Sequence, residues 1–237
     1  EMGSTNPVFF LPGALQKNAG ALAQAFANSV TLGTGQFCTN PGLFVALKSD
    51  EPFLKAVAEH LSKLSVGAML TSGIRQAFLD GIQDLQIQEG ITLITPNSTN
   101  DVAPTLLSTT VSYAIAAPKV TEEVFGPSTL GIIAEDKASV LAFARSLQGH
   151  LTATIHATEE DIKEYNELID ILTQKVGRLI FNGFPTGVEV SPAMVHGGPF
   201  PATTNSGSTS VGTTAIYRFT RPICFQDLPD SLLSEVF

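Results

Sequence analysis

Leu43-Phe44-Val45-Ala46-Leu47, followed closely by Ser49-Asp50-Glu51-Pro52, decides the fold. The first five residues are a short apolar run rich in strand formers. The next four read as a helix start, with proline in the first turn. Phe53, Val57, Leu61 and Leu64 then recur at helical spacing. A strand feeding an amphipathic helix is the repeating step of a layered α/β fold.

The same step recurs along the chain. A second helix is expected from Thr71, with Ile74, Phe78, Ile82 and Leu85 on one face. Residues 111–115 and 129–134 read as strands. Asp136 opens a helix with Val140, Ala144 and Leu147 inward, and 151–157 reads as a strand. Ile162, Tyr165, Ile169 and Leu172 mark a long helix, and 178–182 another strand. The expected architecture is α/β: an open, largely parallel sheet with flanking helices. Residues 183–212 lose periodicity and are dominated by Gly, Pro, Ser and Thr, and a loop this long is usually functional. Residues 213–219 alternate again and read as a terminal strand, an edge awaiting a partner.

Composition narrows the function classes. The 237 residues are 43% hydrophobic and 15% charged, which describes an ordered chain with a sizeable core. A net charge of -9 with no basic run argues against nucleic acid and anionic membrane surfaces. No apolar stretch reaches the roughly 18 residues of a membrane span. Two cysteines without a spacing motif suit a reducing compartment, with the cytoplasm as the default, and no metal site is expected.

Cys38 lies in Gly33-Thr34-Gly35-Gln36-Phe37-Cys38-Thr39-Asn40-Pro41-Gly42. On composition alone, burial as a small hydrophobe is the commoner fate of such a cysteine. The other reading is a nucleophile on a glycine-bearing turn, which needs access and thiolate character. Backbone N–H groups of that turn would face a developing oxyanion. His196, in Val195-His196-Gly197-Gly198, is the histidine that could approach it, although packing outweighs catalysis for it on the residues alone. His60, His150 and His156 read as surface or satisfied core, Cys224 as packing, and Asn182 as a turn residue.

Three segments together resemble the aldehyde dehydrogenase family. Gly35-Gln36-Phe37-Cys38 is similar to its nucleophile segment. Glu1-Met2-Gly3-Ser4-Thr5-Asn6-Pro7 is similar to its Glu-Leu-Gly-Gly-Lys-x-Pro motif. Glu122-Glu123-Val124-Phe125-Gly126-Pro127 matches its Glu-Glu-x-Phe-Gly-Pro motif, and Gly177 to Gly183 resembles the strand before its substrate loop. The resemblance implies that Cys38 attacks an aldehyde and that hydride loss to a nicotinamide leaves a thioester. It implies that Glu1 activates the deacylating water, a carboxylate being able to take and release a proton. Glu123 would accept hydrogen bonds from the nicotinamide ribose, as an acceptor-only group suits a diol. Phe125 would pack beside the nicotinamide. The Cys38 N–H would give half of an oxyanion hole.

The chain also departs from the common family pattern. Ser4-Thr5 replaces Gly-Lys, and the lysine of the usual Pro-Phe-Gly-Gly-x-Lys-x-Ser-Gly loop is missing from 194–212. These departures resemble one branch, the 2,5-dioxovalerate (alpha-ketoglutaric semialdehyde) dehydrogenases and the related long-chain fatty aldehyde enzymes. The branch implies NADP as cofactor, with NAD possible, and a small-molecule aldehyde as substrate. A carboxylate-bearing substrate wants an arginine or a hydroxyl cluster, and 203–210 is rich in hydroxyls. The implied organisation is a catalytic domain over 1–212 and a strand and tail over 213–237 for assembly into a dimer or tetramer. An absent N-terminal cofactor-binding domain is expected to leave these residues alone inactive. A cysteine hydrolase using Cys38 and His196 is the competing function; it has no need of Glu123 and Phe125.

Overall fold

The computed structural model describes residues 2–96, 102–188 and 190–232. Seven strands form one sheet: β1 (Val8–Phe10), β2 (Leu43–Leu47), β3 (Thr92–Leu93), β4 (Thr105–Thr110), β5 (Ser128–Ala134), β6 (His150–His156) and β7 (Val176–Phe181). Their order is β3-β4-β5-β2-β1-β6-β7, and every pairing is parallel except β3 with β4. The expected open, largely parallel α/β sheet is therefore present.

Alternation along the central strands explains the two-sided core. Val8 and Phe10 face one side, packing with Phe26, Phe44, Phe53 and Leu61. Phe9 faces the other, packing with Val45, Leu107, Ile132, Phe143 and Leu168. A strand covered on both faces reads as a continuous apolar run, which is why Val8-Phe9-Phe10 shows no polar alternation. Helices α1 (Pro12–Thr31) and α2 (Glu51–Lys63) cover the first side. Helix α3 (Ser72–Gln86) buries Phe78 and sets Ile82 and Leu85 against the second core. Helices α4 (Val111–Ala116), α5 (Lys137–Ser146) and α7 (Asn166–Thr173) also cover that second side, and α6 (Glu159–Glu164) precedes α7.

Local chemistry accounts for several boundaries. Pro52 sits in the first turn of α2, as its sequence suggests. Thr71 caps α3 by accepting from the Ile74 N–H. Asp136 and Ser139 form a capping box at α5. Asp161 accepts from the Gly13 and Ala14 N–H groups at 3.0 and 3.1 Å, a carboxylate on the positive end of α1. A Cβ on Gly13 would meet that carboxylate at 2.6 Å, so the close approach needs glycine.

Three expectations are corrected. Residues 111–115 are helix α4, and the strand is the preceding β4. Their β-branched side chains suggest a strand, but Thr110 caps a helix there by accepting from the Tyr113 N–H at 3.2 Å. The long helix around Tyr165 is two helices, because Tyr165 leaves helical geometry at φ -101, ψ 28. Its inward face is as expected, with Tyr165 and Leu172 buried. The terminal strand is not formed: Thr213–Arg218 is a 3-10 helix. Its backbone is satisfied locally, Ala215 donating to Gly212 and Phe219 to Ile216, where a strand would need a neighbour. Residues 183–212 hold no helix or strand among the described residues, as expected. No helix among the described residues is long and apolar enough to cross a membrane.

Candidate active site

The motif segments converge on the edge where the parallel strands begin. Residues 4–7 enter β1, 36–42 enter β2 and 122–127 enter β5, while His150 opens β6 and Arg178 is the third residue of β7. Ligand sites of open α/β sheets more often lie at the opposite, carboxyl edge.

Cys38 is carried by a tight reversal. A 3-10 turn (Leu32–Gly35) holds Gly33, Thr34 and Gly35 at φ +56, +59 and +67. Left-handed backbone is ordinary for glycine and costly for other residues. At Gly35 space demands glycine too, since a Cβ would lie 2.2 Å from the Gly126 carbonyl carbon and oxygen. The Cys38 turn and the Glu123 segment therefore meet backbone to backbone. The Asn40 Nδ2 reinforces the contact, donating to the Gly126 carbonyl at 3.2 Å. Cys38 is exposed, so burial as a small hydrophobe is not its place here.

Asn6 fastens this turn from below and is fully buried at φ +47. Its Nδ2 donates to the carbonyls of Ser4, Cys38 and Asn40 at 3.0, 3.0 and 2.9 Å. Its Oδ1 accepts from Ser4 Oγ and from the backbone and hydroxyl of Thr152. One amide thus ties three chain segments together.

His196 Nε2 lies 3.2 Å from Cys38 Sγ. The direction of proton sharing depends on the imidazole tautomer. The histidine is buried, its N–H donates to Thr209 Oγ1 at 2.8 Å, and its carbonyl accepts from the Ser210 N–H at 3.2 Å. The hydroxyl-rich loop thus works first as a holder of His196. Glycines seat the loop on the sheet, for a Cβ on Gly177 would meet the Gly197 carbonyl oxygen at 2.1 Å.

Glu123 and Phe125 line one cavity with Ser4, Thr5, Gly35, Asn40 and Gly126. Glu123 is half-buried, and its Oε2 accepts from the Gly3 N–H at 3.0 Å. Burial raises its carboxyl above the ordinary value, and the Gly3 hydrogen bond opposes that shift. Glu1 lies outside the described residues.

The remaining candidates sort by place. Asn182 is a turn residue at φ +51, its amide accepting from and donating to the Ala157 backbone at 2.9 and 3.1 Å. His150 and His156 are buried in β6, and burial lowers each to about 4. Cys224 is exposed, not packed. Sequence reasoning missed Asn6 and underweighted His196. The signal for Asn6 was a polar residue followed by Pro7 and then a fully apolar strand.

The family model described as aldehyde dehydrogenase matches residues 1–219. The chain is 43% identical over 244 residues to alpha-ketoglutaric semialdehyde dehydrogenase 2 of Azospirillum brasilense, covering 99% of this chain and 46% of that protein. It is 43% identical over 243 residues to alpha-ketoglutaric semialdehyde dehydrogenase of Acinetobacter baylyi, covering 100% of this chain and 46% of that protein. The chain thus spans about half the length of the curated relatives it matches. Among solved structures, betaine aldehyde dehydrogenase of Staphylococcus aureus in complex with NAD+ superposes with a TM-score of 0.74 at 18% identity, covering 92% of this chain and 44% of that one. At that identity the likeness speaks to the fold.

Proposed function

This chain belongs to the aldehyde dehydrogenase family, and we propose that the protein containing it oxidises an aldehyde to a carboxylate through a thioester on Cys38. The aldehyde is 2,5-dioxovalerate (alpha-ketoglutaric semialdehyde) and the product 2-oxoglutarate, a reading supported by the names of the two 43% identical relatives. The observation that carries the chemistry is the exposed Cys38 Sγ at 3.2 Å from His196 Nε2.

His196 takes the thiol proton, and the sulfur attacks the aldehyde carbon, forming a C–S bond and an oxyanion. The cavity beside it fits a nicotinamide cofactor: Glu123 commits Oε2 to Gly3 and keeps Oε1 for ribose hydroxyls, and Phe125 offers an apolar face. When bound, that cofactor supplies the hydride acceptor that turns the thiohemiacetal into a thioester. NADP is the proposed form, on the branch resemblance. Glu1 then takes a proton from water, which attacks the thioester carbon and releases the carboxylate and the Cys38 thiolate. Assembly into a dimer or tetramer uses the exposed apolar side chains Ile216, Tyr217, Phe219 and Ile223. The cytoplasm is the proposed compartment, where thiols such as Cys38 and Cys224 stay reduced.

The test is NADP reduction by the full-length protein with 2,5-dioxovalerate. Cys38→Ser is expected to abolish turnover while cofactor affinity stays near normal, and retained turnover refutes the mechanism. The Cys38–His196 contact equally favours a cysteine hydrolase. Ester hydrolysis without any aldehyde oxidation, unchanged by Glu123→Ala, would select that second function.

A further inference from the structure

Arg178 stands in the otherwise apolar run of β7, a cation where the strand pattern asks for none. It pairs with Thr152 of β6, the strand residue whose backbone and hydroxyl both reach Asn6. Its guanidinium reaches into the 183–212 loop. Nη1 donates to the Gly187 carbonyl and Nη2 to the Pro185 carbonyl, both at 2.9 Å. Nη1 also lies 4.0 Å from Met194 Sδ, two residues before His196. Nε is buried without a hydrogen-bond partner. Among the described residues no carboxylate pairs with this charge. A guanidinium stays protonated under such conditions. Burial lowers Arg178 from its ordinary value, and the charge of Cys38 pulls against that shift.

We propose that Arg178 is the positioning residue of the Cys38–His196 pair, holding the Pro185 and Gly187 carbonyls and the Met194 sulfur of the loop that delivers His196. The proposal rests on Cys38 being the nucleophile. Two adjacent strand residues then share one task. Gly177 lets the loop approach the strand, and Arg178 holds it there. The planar fork matters because two carbonyls at different loop positions are gripped at once, which a lysine ammonium on a flexible stem does less rigidly. An imidazole held 3.2 Å from the sulfur favours the thiolate by taking its proton. Among the described residues His196 of the loop is in contact with Cys38, and Glu123 lies in the adjoining cavity.

The experiment uses the full-length protein with Cys224→Ser as background, and alkylation is read at the Cys38 peptide by mass spectrometry, with Cys38→Ser as the blank. The rate of iodoacetamide alkylation is followed from pH 5 to pH 10 in wild type, Arg178→Met, Arg178→Lys and Arg178→Gln. Arg178→Met and Arg178→Gln are expected to move the midpoint up by about one pH unit, about a tenfold loss of rate near neutral pH. Arg178→Lys, an ammonium in place of the planar fork, is expected to restore only part of the midpoint, with kcat for aldehyde oxidation low and KM little changed. Unchanged midpoints in both neutral variants overturn the proposal. If Arg178→Met fails to fold, Arg178→Gln and Arg178→Lys carry the same comparison. Retained oxidation by Cys38→Ser would instead strike down the nucleophile assignment, so the two failures are distinguishable.

Discussion

Replacing Asn6 with alanine removes the one side chain that joins the entry to β1, the Cys38 turn and β6. Its two Nδ2 protons serve three carbonyls, those of Ser4, Cys38 and Asn40, and its Oδ1 receives the Thr152 N–H. The Ser4 and Thr152 hydroxyls can turn to other partners, and the Asn40 carbonyl keeps the Gly42 N–H at 2.9 Å, but the Ser4 and Cys38 carbonyls and the Thr152 N–H lose this partner. Each costs about 1 kcal/mol when its partner is lost. Alanine at a left-handed φ adds about 1 kcal/mol. Water can reach the partly exposed Cys38 carbonyl, so the expected loss is about 3–4 kcal/mol, a large share of a typical domain's stability. Asn6→Gly keeps the backbone geometry at little cost, and it is expected to be about 1 kcal/mol more stable than Asn6→Ala. Urea unfolding of the full-length protein reads both values from the shift in midpoint, provided the slope is unchanged. A loss below about 1 kcal/mol for Asn6→Ala refutes the account of Asn6 as a fastening point.

Two further outcomes follow from the same geometry. Gly35→Ala places a methyl 2.2 Å from the Gly126 backbone at φ +67, and about 2–5 kcal/mol of stability is expected to be lost, read as a lower thermal midpoint. A near-wild-type midpoint would show that the two segments can part without cost. Stability should also fall with acid between pH 6.5 and 4. His150 and His156 are held neutral by burial at about 4 against 6.5 unfolded, so the unfolded chain binds more protons in that window and stability rises with pH. Each histidine contributes at most about 3 kcal/mol. Glu123, whose carboxyl is raised, works weakly in the opposite sense. Equal urea midpoints at pH 5 and pH 7 would contradict this.

The sequence announces those parts of the fold that are fixed locally. Residues 43–63 carry their own strand run, helix start and apolar stripe, and they fold as they read. Helix α1 does not announce itself. Gly13, Asn18 and Gly20 depress its propensity, and it forms because Asp161, distant in sequence, caps it while Ala23, Phe26 and Val30 pack inward. Residues 111–115 mislead for the converse reason, since a six-residue helix is decided by its cap and its seat on the sheet. In the site, Cys38, Glu123 and Phe125 sit in motifs that can be recognised as contiguous strings. His196 reaches Cys38 across 158 residues of chain separation, and Arg178 acts through a loop without periodicity, so only the folded loop shows what they reach. Arg178 still left a trace, as a charge in an apolar strand.

The abutting glycines at 35 and 126 have a mechanical meaning. With no side chain between the two backbones there is nothing to compress, rotate or swing aside. Cys38 and Glu123 are mounted on opposite halves of that joint, each three residues from its glycine. The spacing of the two backbones at the joint is therefore set by the thickness of two peptide planes. Side chains on either segment can vary while that gauge stays constant.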